Sequence, residues 1–192
     1  MIENLLKYCS KFIQLTESDK KTIELNFRPI QLKRKEYLLR EGKTCDFIAF
    51  LNKGIIRHYH IKEGNEITCD ITLQNNFITD FKSLKQNLPS TYNFIALKDA
   101  ELLIIKKDDL FKLYRDNKNI GTFGRIMAEQ VAQRVINIAM SLSSDKPEER
   151  VKKLLEQRPE LFQQVPQHYL ANLVGISPES LSRIRARLKT LT

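Results

Sequence analysis

Apolar residues keep helical spacing at the two ends of the chain and lose it in between. Glu3 to Phe12, with Leu5, Leu6, Tyr8, Cys9 and Phe12 three or four residues apart along one face, and Glu17 to Asn26 read as short helices. Thr16-Glu17-Ser18-Asp19, ahead of the second stretch, has the form of a capping box. From Ile30 the apolar runs shorten, and turn residues separate them. Tyr37-Leu38-Leu39 stops at Gly42, Phe47 to Leu51 at Asn52-Lys53-Gly54, and Ile55 to Ile61 at Glu63-Gly64-Asn65. Glu66 to Thr72 follows, then Tyr92 to Leu97 with Lys98-Asp99 behind it, and Ala100 to Ile105. Strands this closely spaced predict an antiparallel barrel or roll filling the front half.

Helical spacing returns at Lys107-Asp108-Asp109-Leu110. After Asp116 to Asn119 a longer helix is predicted to about Leu142, with Ile120, Phe123, Met127, Val131, Val135, Ile138 and Leu142 on one stripe. Such a stripe can cover the roll or pair with its twin in a second copy. Ser143-Ser144-Asp145-Lys146-Pro147 combines cap residues with a first-turn proline and reads as a hinge, so a domain boundary is expected near residue 145. Glu148 to Arg158 then reads as an amphipathic helix that buries Val151, Leu154 and Leu155.

The segment from Val165 to Leu188 predicts a helix, a tight turn at Gly175, and a second helix beginning after Ser177. The Ser177 hydroxyl can cap free N–H groups, and Pro178 takes a first-turn position that needs no donor. This is a helix-turn-helix pattern. At about 100° per residue, Leu181, Ile184 and Leu188 share the face that docks. Opposite lie Glu179, Ser182, Arg183 and Ala186, with Ser180 and Arg187 on one shoulder and Arg185 and Lys189 on the other. That face suits the major groove: Arg reaches guanine O6 and N7, Glu accepts from cytosine N4, small residues admit the backbone, and flanking cations meet phosphates. A solvated basic helix is the competing reading. Two-fold operators of helix-turn-helix dimers favour pairing of the long-helix stripe with a second copy.

With 192 residues and 42% hydrophobic content, the chain can bury a core in one domain plus a small second one. No apolar run approaches the roughly 20 residues of a membrane span, and Met1-Ile2-Glu3-Asn4 lacks the start of a signal peptide. A cytoplasmic protein without membrane partners is expected. Cys9, Cys45 and Cys69 are odd in number and far apart, which gives neither a disulfide framework nor a CxxC metal site. The net charge of +9 suits a polyanionic partner, although the cations are spread along the chain.

These parts, in this order, resemble the Crp/Fnr family of bacterial transcription regulators. The resemblance rests on Leu38-Leu39-Arg40-Glu41-Gly42 followed by Phe47 through Gly54-Ile55-Ile56-Arg57. It rests also on Ala171, Leu173-Val174-Gly175-Ile176-Ser177 and Leu181-Ser182-Arg183. It implies an α+β fold with an antiparallel β-roll of cyclic-nucleotide-binding type (a jelly roll) over 1–116, a dimerisation helix over 117–144 and a winged helix-turn-helix over 145–192. The implied partners are double-stranded DNA, a second copy of the chain, RNA polymerase and a small-molecule effector. Family positions matching Pro178, Glu179 and Arg183 read bases; Glu179 and Arg183 keep suitable types, and Pro178 does not. The implied contact set is Ser177, Glu179, Ser180, Ser182, Arg183, Arg185, Arg187 and Lys189, with Ile120, Phe123, Met127, Val131, Val135 and Ile138 at a dimer interface. The chain ends at Thr192, which leaves no room for a hairpin beyond the second helix.

Family members that bind cyclic nucleotides carry a Gly-Glu opening and an Arg-Ser or Arg-Thr closing of a phosphate cassette. The matching stretch runs from Thr79-Asp80 to Ser90-Thr91, and Ser90 stands where the arginine belongs. Losing that charge-assisted contact removes roughly 1.5–3 kcal/mol, and Asp80 repels an anion, so cyclic AMP is not the expected effector. Lys82 and Lys85 are the nearby cations. Three cysteines also fall short of the four thiolates of an Fnr-type iron–sulfur sensor. Two other classes compete. One is a β-roll serving protein contacts without DNA. The other is a metal-dependent cupin-like enzyme, suggested by His58-Tyr59-His60, whose imidazoles share a strand face. Glu63 is near that pair, but the remaining histidine, His168, lies in the C-terminal motif. No Ser-His-Asp set, Gly-rich phosphate loop or carboxylate pair stands out, and no cofactor, metal or enzymatic activity is expected.

Overall fold

The structure, a computed structural model, describes the backbone of residues 1–190 and the side chains of residues 1–188. It contains two compact units: Met1–Glu66 with Asp70–Glu129, and Ile67–Cys69 with the chain from Gln130 onward.

In the first unit, helices α1 (Ile2–Cys9) and α2 (Glu17–Asn26) precede strands β1 (Arg28–Leu32), β2 (Tyr37–Leu39), β3 (Phe47–Lys62), β4 (Asn65–Leu73) and β5 (Asn76–Ile78). Helix α3 (Phe81–Gln86), strand β6 (Asn93–Lys106), helix α4 (Lys107–Asp116) and the start of α5 (Lys118–Ser144) follow. The sheet runs β1-β6-β3-β4, with β2 added to β6 and β5 to β3. The pairings of β1, β2 and β3 with β6 and of β5 with β3 are antiparallel, with β3 running against β6 from Phe47 opposite Lys106 to Tyr59 opposite Asn93.

The turns expected at Asn52-Lys53-Gly54 and at Lys98-Asp99 are not chain reversals. Each lies inside a single long, bent strand, β3 or β6. Register shifts between Leu51 and Ile56 mark bulges, which bend a strand without ending it. Gly54 has φ +105, and a Cβ placed on it would meet Ala100 and the Asp99 carbonyl at 2.7 Å, so only glycine permits this crossing. At Glu63-Gly64 the chain does reverse, with both residues at positive φ.

Alternation along the strands divides the sheet between two cores. Ala49, Leu51, Ile56, Phe94, Ala96 and Leu102 face the interior of the roll with Phe47 and Ile78. Phe50, Leu103 and Ile105 face outward, where Leu5 and Cys9 of α1, Ile23 of α2, and Leu110 and Leu113 of α4 cover them. Ile120 and Phe123 of α5 complete this second core, Met127 packs on it, and the Tyr8 hydroxyl donates to the Met127 sulfur at 3.8 Å. The first part of the long-helix stripe therefore covers its own roll. Ile120 and Phe123, expected at a dimer interface, are buried in this core, and Met127 is half-buried against it, because the outward sheet face and α1 offer them apolar partners within the chain.

In the second unit α5 continues to Ser144, followed by α6 (Pro147–Gln157), α7 (Pro159–Gln164), α8 (Gln167–Leu173) and α9 (Pro178–Thr190). Residues 130–190 contain no strand, so the strands of a wing have no counterpart among the described residues there. Val151, Leu161, Val165, Leu170, Ala171, Val174, Leu181 and Ile184 are buried at the core of this helical unit.

Candidate nucleic-acid interface

Helix α8 ends in a glycine cap. Gly175, at φ +69, donates its N–H to the Asn172 carbonyl at 3.1 Å, and the Ile176 N–H reaches the Ala171 carbonyl at 3.0 Å. This double closure satisfies terminal carbonyls while the left-handed residue turns the chain. Ser177 then opens α9 as expected: its hydroxyl accepts the Ser180 N–H at 3.2 Å, and its carbonyl accepts the Leu181 N–H at 3.0 Å.

On α9, Leu181 and Ile184 are buried and Leu188 is half-buried, while Glu179, Ser182, Arg183 and Ala186 are exposed. The face proposed for contact is thus presented as the helical period requires. The Arg183 guanidinium donates to the Ser180 hydroxyl at 3.3 Å. The Glu179 carboxyl is held below the usual carboxylate range, first by its own backbone N–H, then by Ser177, with Arg183 adding to the effect.

The flanking cations differ in setting. The Arg185 guanidinium lies 5.2 Å from the centre of the Phe162 ring on α7, and Arg187 forms a 2.9 Å ion pair with Glu148 on α6. Neither Phe162 nor Glu148 was singled out from sequence, since both read as ordinary positions of amphipathic helices. Lys189 falls within α9, but its side chain lies outside the described residues.

The cassette of the roll forms a separate polar cluster. Asp80 is 7% exposed. One of its carboxylate oxygens accepts the N–H groups of Lys82 and Ser83, each at 3.1 Å, and the other accepts the Ser90 hydroxyl at 2.7 Å. Ser90 is itself held to the Gly42 turn, its carbonyl accepting the Gly42 N–H at 2.8 Å and its N–H reaching the Lys43 carbonyl at 2.9 Å. Thr79 donates to the Phe47 carbonyl at 2.8 Å, whereas Thr91, Lys82 and Lys85 are exposed. A buried carboxylate already occupies the amides and the hydroxyl of this cluster. These residues do not fit a cyclic phosphate.

His58 and His60 are engaged elsewhere. His58 Nε2 lies 2.9 Å from the Thr72 hydroxyl, with its ring 4.2 Å from that of Phe94, and His60 lies 6.2 Å from Tyr92. Among the described residues no group of three or more His, Cys, Asp or Glu side chains is placed to hold a metal ion. No helix there is long and apolar enough to cross a membrane.

Residues 29–117 match the family model of the cyclic nucleotide-binding domain, which sets the class of the roll. In fold the chain is similar to solved Crp/Fnr regulators. FixK2 from Bradyrhizobium japonicum superposes with a TM-score of 0.74 at 16% identity, covering 86% of this chain and 85% of that one. The c-di-GMP responsive global regulator CLP of Xanthomonas campestris gives 0.64 at 18% identity, over 90% and 92%. The catabolite activator protein of Thermus thermophilus gives 0.56 at 20%, over 88% and 83%. No curated protein matches the chain by sequence.

Proposed function

We propose that the protein is a sequence-specific DNA-binding transcription regulator of the Crp/Fnr type. It acts as a homodimer in the cytoplasm and performs no catalysis. The observation that carries this reading is the exposed face of α9, where Glu179, Ser182, Arg183 and Ala186 stand clear of the buried Leu181 and Ile184. The likeness to FixK2 and to the catabolite activator protein supports it. In this reading α9 enters the major groove of double-stranded DNA, Arg183 meets guanine O6 and N7, and Glu179 accepts from cytosine N4. Ser177, Ser180 and Arg187 serve the backbone, and Arg187 exchanges Glu148 for phosphate. The second half of α5 joins two copies, so that two α9 helices read a two-fold site. RNA polymerase is the expected protein partner. Any effector of the roll is not cyclic AMP, because Asp80 supplies the anion of the cassette from within.

Gel shifts on a half-site library at two salt concentrations test the assignment. Arg183→Ala should weaken operator binding by about 1–3 kcal/mol and relax preference at one base pair, with little effect on random DNA. Arg187→Ala should weaken binding to every sequence alike and lower the salt slope by about one. Equal losses on all sequences for Arg183→Ala would show that this residue reads no base.

A further inference from the structure

In the turn that aims α9, the Val174 carbonyl is served from outside the two helices that the turn joins. The Val174 carbonyl follows the closed cap of α8, and the residue four positions on is Pro178, which has no N–H to give. Its donor comes from α6. Arg150 Nε reaches the Val174 carbonyl at 3.0 Å, while Nη1 of the same guanidinium donates to the Asp145 carbonyl at 2.8 Å. Asp145 is the first residue beyond α5, and its own carboxylate is held by Ser141 of α5 and by Lys153 of α6, the latter at 2.6 Å. Arg150 is fixed in turn, since its N–H donates to the Lys146 carbonyl at 3.1 Å in the first turn of α6. One planar fork thus grips the hinge after α5 and the turn before α9. A lysine, with a single ammonium at the end of a flexible stem, cannot hold both carbonyls in this geometry.

We propose that Arg150 is a positioning residue for α9: it sets the angle between the end of α5 and α9, and so the spacing of the half-sites a dimer reads. The second clause rests on the DNA-binding reading above; the first rests on the fold alone. Arg150 touches no base in this account. It acts through the Val174 carbonyl.

Hydrogen–deuterium exchange on the full chain tests the first clause without DNA. Arg150→Ala should speed exchange of the amides at 143–146 and 174–177 by about tenfold, with those of α1 to α4 unchanged, and Arg150→Lys should fall between. Fluorescence anisotropy tests the second, using paired half-sites selected by the wild-type protein and respaced one base pair at a time. Wild type should show one sharp optimum. Arg150→Ala should bind about tenfold more weakly there and lose the spacing preference, with single half-site affinity and salt slope retained. Unchanged exchange in both segments, or a wild-type spacing optimum in Arg150→Ala, overturns the role. A wild-type chain that binds no DNA removes the regulator reading instead, and the exchange result then decides by itself whether Arg150 ties hinge to turn.

Discussion

Asp19 shows how much one buried carboxylate can organise. It is 4% exposed and accepts the Thr16 N–H at 2.9 Å, closing the capping box of α2. It also accepts the amides of Asn117 at 2.6 Å and Asn119 at 2.8 Å, and Asn117 in turn accepts the N–H groups of Asn119 and Ile120 at the start of α5. Burial pushes the carboxyl up, but the hydrogen bonds from Asn117, Thr16 and Asn119 outweigh it and hold the pKa at about 2. A folded pKa below the unfolded value of about 3.9 stabilises the protein above pH 4 by roughly 2–3 kcal/mol, and that contribution is lost as pH falls from about 4 to about 2. Asp19→Asn should therefore lower stability at pH 7 by about that amount and flatten the acid limb of the stability curve, as urea melts from pH 7 down to pH 2 would register. The capping box was legible in Thr16-Glu17-Ser18-Asp19; the two asparagines were not, because no local pattern links them to α2.

At the scale of the element, α5 changes partner along its length. Its first turns bury Ile120 and Phe123, but beyond Met127 the stripe opens to solvent, with Val131 50%, Val135 58%, Ile138 43% and Leu142 53% exposed. Val131, Val135, Ile138 and Leu142 share one side of the helix, and this exposed apolar row is the face proposed to pair two copies. Light scattering at micromolar concentration should give twice the chain mass. Val135→Asp with Ile138→Lys should shift it to the monomer without unfolding the roll. Met127→Lys should instead destabilise the first unit, because Met127 packs on its core. A wild-type chain that remains monomeric, alone and on DNA, rules the pairing out. The sequence showed the stripe as continuous because period alone carries no information on which surface meets each turn.

For the whole molecule, the roll keeps the architecture of a cyclic nucleotide-binding domain while its cassette is closed on itself by Asp80 and Ser90. A ligand at one thousand times its Kd would stabilise the folded state by about 4 kcal/mol, several degrees in melting temperature. Cyclic AMP at 1 mM, roughly such an excess over a micromolar Kd, should leave the melting curve unmoved. A clear upward shift would mean that another cation serves the phosphate.

The order of elements, the roll, the long helix and the capped turn before α9 were fixed by local physics: hydrophobic period, glycine and proline placement, and cap residues act within a few positions of each other. The docked and exposed faces of α9 followed from the same period, which by itself puts Glu179 and Arg183 on the exposed side. Tertiary structure decided the rest. It turned two apparent turns into bulges, because Gly54 lets Ala100 approach; it divided the α5 stripe, because the outward sheet face was there to receive only its first turns. It filled the cassette with Asp80 and brought Arg150 onto two carbonyls, contacts between groups whose pairing depends on where the chain returns in space.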